Sequence, residues 1–118
     1  MVPPVRRLRG QVLHRPEVTV LEVYVRSSRH GRDTLVAVCD AELLGETREG
    51  GRAPFEVSER FYKGTLCDLA EAIEAMGKAT ICNIVGKKIV EAAIECGLVR
   101  RAAVIYIGDV PHAQTVRL

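Results

Sequence analysis

In EVTVLEVYVR, residues 17–26, apolar and β-branched side chains dominate, and after the polar link SSRHGRD the pattern resumes in TLVAVCD. Two such runs joined by a short loop containing glycine predict an antiparallel hairpin. Strand alternation turns Leu35, Ala37 and Cys39 to one side and Val36, Val38 and Asp40 to the other. Asp40 then closes its strand, where a carboxylate reaches water. The following stretch is broken by Gly45, Gly50, Gly51, Pro54 and Gly64, which predicts turns and short strands, with PFEVS the clearest strand.

The period then changes. In TLCDLAEAIEAMG, Leu66, Leu69, Ile73 and Met76 recur at helical spacing, Thr65 with Asp68 resembles a capping box, and Gly77 supplies a stop. A second helix is expected over TICNIVGKKIVEAAIECG, with Ile81, Val85, Ile89, Ala92 and Cys96 as its stripe, Thr80 as its cap and Lys87–Glu91 as an exposed pair. Gly86 inside that helix costs about 1 kcal/mol relative to alanine, so it signals a closely packed neighbour or room for something bound.

Beyond Gly97 the strand pattern returns in AAVIYI, and Gly108-Asp109 suits a two-residue hairpin turn. Antiparallel counting sets Ile107 opposite Val110, Ile105 opposite His112 and Ala103 opposite Gln114. Pro111 cannot donate to a ladder, so the last strand is expected either at a sheet edge or to start just after the proline. Strands at both ends of the chain with two helices between them predict an α+β fold, a two-layer sandwich of a mainly antiparallel sheet with two helices on one face.

Composition narrows the function. The 118 residues suit one domain, read as a basic extension over 1–16 and a folded unit over 17–118, and hydrophobic and charged fractions of 47% and 27% are ordinary globular values. The longest apolar runs fall short of a membrane span or a secretion signal, which gives the expectation of a cytoplasmic protein without membrane contact. Cys39, Cys67, Cys82 and Cys96 are spaced by 28, 15 and 14 residues with no Cys-x-x-Cys pair, so buried free thiols are expected rather than a metal site. His14, His30 and His112 show no ligand spacing either, and neither a metal nor a cofactor is expected. Tryptophan is absent and aromatics make up 4%, which weakens base stacking as a binding mode.

Charge is unevenly placed. Arg6, Arg7, Arg9 and Arg15 fall in the acid-free first 16 residues, and the other 13 basic and all 15 acidic residues follow. With Arg26, Arg29 and Arg32 around the first hairpin loop, these arginines could track a phosphate backbone, whereas a solubilising tail would use the same residues. The hairpin register puts His112 and Gln114 on the face of Ile105, Ile107 and Val110, a core-facing set, where polar groups must find partners. Thr80 and Asn83 at the expected helix start, followed by Lys87 and Lys88, could meet an anion, although any helix start supplies such groups. NIVGKK lacks the upstream glycine of a phosphate loop. A ligand pocket would be built from His112, Gln114, Asn83, Gly86 and Asp40.

Four strings, VAVCDAELLG at 36–45, RFYKG at 60–64, ATICNIVG at 79–86 and IGDVPHAQ at 107–114, together resemble the archaeal domain-of-unknown-function family 424 over about residues 20–118. The resemblance implies an archaeal, cytosolic, compact α+β domain, and it brings no known reaction or ligand. Its motif residues here are Cys39, Asp40, Phe61, Tyr62, Asn83, Gly86, Pro111, His112 and Gln114. The expected function is a non-catalytic accessory or binding module, touching RNA or a nucleoprotein through its basic N-terminal arm and first hairpin loop. A small enzyme or ligand-binding protein around His112, Gln114 and Asn83 is the first alternative, and a homo-oligomer joined through its last edge strand or a helix face the second.

Overall fold

Gly86 does not sit inside a helix; it divides a strand from a helix. The computed structural model describes residues 20–50 and 53–117, so the arginines at 6, 7, 9 and 15 lie outside the described residues. The described elements are β1 (Val23–His30), β2 (Asp33–Asp40), β3 (Thr47–Arg48), β4 (Phe55–Glu56), α1 (Glu59–Tyr62), β5 (Thr65–Cys67), α2 (Leu69–Gly77), β6 (Ile81–Val85), α3 (Lys87–Glu95), β7 (Ile105–Ile107) and β8 (Val110–Val116).

Six strands form one sheet in the order β5-β1-β2-β6-β8-β7, and every pairing is antiparallel except β2 with β6. Its register brings Leu35, Ile81 and Val116 into one row, Arg26, Ala37, Asn83 and Gln114 into the next, and Tyr24, Cys39, Val85, His112 and Ile105 into a third. On the opposite face Val23, Val36, Val38, Cys82, Ile84 and Ala113 pack against Ala72 and Met76 of α2 and Ile89, Val90 and Ala93 of α3. That layer is the α+β sandwich expected from the sequence. The second face carries a smaller cover, in which Leu43, Val57 and Tyr62 close over Ala37, Cys39, Val85 and Val110.

Local chemistry explains where the boundaries moved. Asp68, not Thr65, caps α2 by accepting from the Glu71 amide at 2.8 Å, and Thr65–Cys67 is spent as an edge strand. The expected helix over 80–97 splits, because Ile81, Ile84 and Val85 favour a strand and Gly86 takes φ 121°, a conformation that residues with a Cβ rarely adopt. The helical stripe consequently shifts to Ile89, Val90 and Ala93, and Cys96 is exposed while the other three cysteines are buried. Glu91 pairs with Arg101 at 3.1 Å rather than with Lys87.

The last strand is not an edge. β8 lies between β6 and β7 in spite of Pro111. The Pro111 carbonyl accepts from the Gly86 amide at 2.9 Å, and the Gly86 carbonyl is already taken by the Val90 amide at 3.0 Å, so a donor at position 111 would have no acceptor to meet. Proline is tolerated inside the sheet because β6 ends beside it.

Candidate functional site

Three places in the fold gather polar or charged side chains. The first lies where the parallel strands β2 and β6 end. Asp40 is 2% exposed rather than solvated, and its Oδ2 and Oδ1 accept from the Lys88 and Ile89 amides at 2.9 and 3.0 Å. These are the bonds a local cap makes to the second and third amides of a helix, here delivered from β2 over a separation of 48 residues. Gly86 leaves the space for it, since a Cβ at that position would lie 2.3 Å from Asp40 Cγ. Burial raises the Asp40 pKa, and the two amides oppose that rise. Lys88 Nζ lies 3.5 Å from Glu42 and 3.7 Å from Glu22 at the surface above. A cleft of about 180 Å³ opens beside Asp40, Glu42, Arg48, Lys87 and Asp109. Asp40 already occupies the helix amides that would greet an anion there.

The second place is a polar cluster under the smaller cover. Tyr62 Oη donates to Asn83 Oδ1, and His112 Nε2 lies 3.2 Å from the same oxygen. An amide oxygen only accepts, so Nε2 carries the hydrogen and Nδ1 is left as a bare acceptor. Nδ1 is buried without a partner, and Phe55 packs on the ring with centroids 5.5 Å apart. Burial lowers the His112 pKa and keeps the ring neutral. Burial likewise pushes the Tyr62 hydroxyl upward and the neighbouring Cys39 thiol up to about 12, so neither is a ready nucleophile.

Of the five expected ligand residues the structure joins His112 to Asn83 and Gly86 to Asp40, and it separates the roles of the two pairs. Gln114 shares the second face with both His112 and Asn83, yet it is exposed, because the cover ends at Tyr62. Asn83 and Thr80 are not at a helix start. Thr80 Oγ1 accepts from the Thr34 amide at 2.9 Å and donates to Asp33 at 3.1 Å, tying the first hairpin to β6. Tyr62, the residue that completes the cluster, carries no local signal beyond its place in RFYKG. Among the described residues no group of three or more potential metal ligands is formed.

The third place is the opposite end of the sheet. Arg26, Arg29 and Arg32 are exposed on the β1–β2 hairpin, where Asp33 is the sole acid between residues 23 and 39. Among the described residues none of the three forms an ion pair. The Thr80 amide donates to Thr34 O and the Arg117 amide to Thr80 O, and Arg117 Nη1 reaches Gly77 O at 2.9 Å, which brings Lys78 and Arg117 to this same end. Beyond Val25 no described strand pairs with the outer edge of β1, and a shallow groove of about 430 Å³ runs along it past Arg26, Ser27, Gly64, Thr65 and Glu71.

The family model described as a protein of unknown function, DUF424, matches residues 28–118. The fold is similar to that of the crystal structure of an uncharacterised conserved protein from Methanopyrus kandleri, with a TM-score of 0.70 and 24% identity over 82% of this chain and 94% of that one. No curated protein matches the chain. Among the described residues no helix is long and apolar enough to cross a membrane.

Proposed function

We propose that this chain, which belongs to the DUF424 family of proteins of unknown function, is a non-catalytic binding module that holds the phosphate backbone of an RNA strand at the basic end of its sheet. The observation that carries the reading is the set of exposed arginines, Arg26, Arg29 and Arg32, left without ion pairs among the described residues on a hairpin anchored through Thr80. Exposed arginines with no internal partner are free to release counterions from a polyanion. Lys78 and Arg117 widen the positive rim, and the groove along the outer edge of β1 supplies a track. Arg6, Arg7, Arg9 and Arg15 add four cationic side chains to the same chain. The polar cluster and Asp40 serve packing in this reading: Tyr62 and His112 share the Asn83 oxygen, burial disfavours a charge on the His112 ring, and Asp40 is engaged by the α3 amides.

The test is fluorescence anisotropy with a labelled single-stranded RNA across a salt series, with a DNA strand of the same sequence as a second arm. Changing Arg26, Arg29 and Arg32 together to glutamine should make the slope of log K against log salt shallower by about 2, at about 0.7 for each phosphate that is no longer neutralised. Deleting residues 1–16 measures the arm's share separately. Equal slopes for the parent and the triple variant, or no binding at low salt, would defeat the proposal.

A further inference from the structure

We propose that the outer edge of β7 is a self-association edge, and that two copies of the chain pair there antiparallel about a two-fold axis at Tyr106. The ladder geometry gives the register. In an antiparallel strand the N–H and C=O of a residue point to the same neighbour and alternate along the chain. The Pro111 carbonyl points to β6, where it meets the Gly86 amide, so Pro111 and its partner Tyr106 form a pair without hydrogen bonds between β8 and β7. The N–H and C=O of Tyr106 therefore both point away from the sheet, and no described residue meets them.

Side chains support the same edge. Ile105 is 57% exposed and Tyr106 61%, on opposite faces of a strand that contains neither a charge nor a proline. Charges and prolines are the residues that ordinarily guard an unpaired edge. Two-fold pairing sets Tyr106 against Tyr106 of the partner subunit, with two reciprocal backbone hydrogen bonds, and places Ile105 opposite the partner's Ile107 on the other face. Charge fits the antiparallel sense. Asp109 follows one end of β7 and Arg100 precedes the other, and among the described residues neither is in an ion pair. The two-fold register sets Asp109 of each copy opposite position 103 of the partner, at the close of a short 3-10 turn, Arg101–Ala103, that Arg100 opens. The pairing uses the edge opposite β5 and is independent of RNA binding.

The test is sedimentation of the full chain over a range of concentrations, starting from a 13.0 kDa protomer. The parent should rise toward twice that mass, and Tyr106→Pro, which removes the outward donor at an edge position that tolerates proline, should stay monomeric with an unchanged circular dichroism spectrum. Ile105→Lys is the second variant in case the first does not fold. Asp109→Arg and Arg100→Asp should each raise the dimer dissociation constant roughly tenfold, as two like-charge contacts replace two opposite ones, and an equal mixture of the two should restore the parent value. A monomer at every concentration overturns the proposal. So does a dimer that Tyr106→Pro and Ile105→Lys leave intact, or a charge-swapped mixture that shows no rescue.

Discussion

Changing Gly86 to alanine tests the contact on which the α3 end of the structure rests. The added Cβ would fall 2.3 Å from Asp40 Cγ, and the backbone there has φ 121° and ψ 151°, a region that costs an alanine about 1–3 kcal/mol. The carboxylate must also leave, which abandons its bonds to the Lys88 and Ile89 amides. Losing a cap of this kind and exposing its donors costs about 3 kcal/mol. Gly86→Ala should thus destabilise by about 5 kcal/mol, a large share of the roughly 5–15 kcal/mol typical of a domain. Asp40→Ala should cost about 3 kcal/mol on its own. The double variant discriminates: with the carboxylate gone the new methyl has room, so only the backbone strain adds, and the pair should cost about 5 rather than about 8 kcal/mol. Urea unfolding followed by circular dichroism measures all three. Full additivity, or a Gly86→Ala variant within about 1 kcal/mol of the parent, would refute the account of this helix end.

The polar cluster makes two further predictions. Asn83→Ala strands both the Tyr62 hydroxyl and the His112 Nε2–H and should cost about 3 kcal/mol, whereas Tyr62→Phe removes one donor from an oxygen that keeps the other and should cost about 1 kcal/mol; the order of their urea midpoints checks the assignment. Because burial holds the His112 pKa below its ordinary 6.5, the unfolded chain takes up a proton first as pH falls, so stability should decline as pH drops through 6.5 and level off below the folded-state value. His112→Asn should remove that slope from the curve of urea midpoint against pH; a slope of the same size in the variant would assign it elsewhere.

The parts of the fold legible in the sequence are those set by local pattern. The β1–β2 hairpin, the Gly108-Asp109 turn with its Ile105–His112 register, and the body of α2 all follow from alternation, turn chemistry and helical spacing. What is not legible depends on partners distant in the chain. The apolar residues of ICNIV also fit a 3.6 period and so predict helix, and only the ladders to β2 and β8 make the segment a central strand. Asp40 ends an alternating strand, a place that predicts water around it, but the helix that buries it is 48 residues away. Pro111 marks an edge by local rules, and the early end of β6 cancels them. His112 is expected on the inner face and is there; Gln114, two residues on, shares the face but lies past the edge of the cover, a boundary set by where Tyr62 reaches. The glycine at 86 does announce close packing, although not that a carboxylate would occupy the space.

Binding of a phosphate backbone at the hairpin end of the sheet is open to direct mapping. The most direct measurement is a titration of isotopically labelled full-length protein with a short single-stranded RNA, followed by amide chemical shifts. Shifts should concentrate from Arg26 through Asp33 and at Lys78 and Arg117, with the amides of Lys88 and Ile89, capped by Asp40, unmoved. Shifts centred on the Asp40 cleft with a silent hairpin would contradict it.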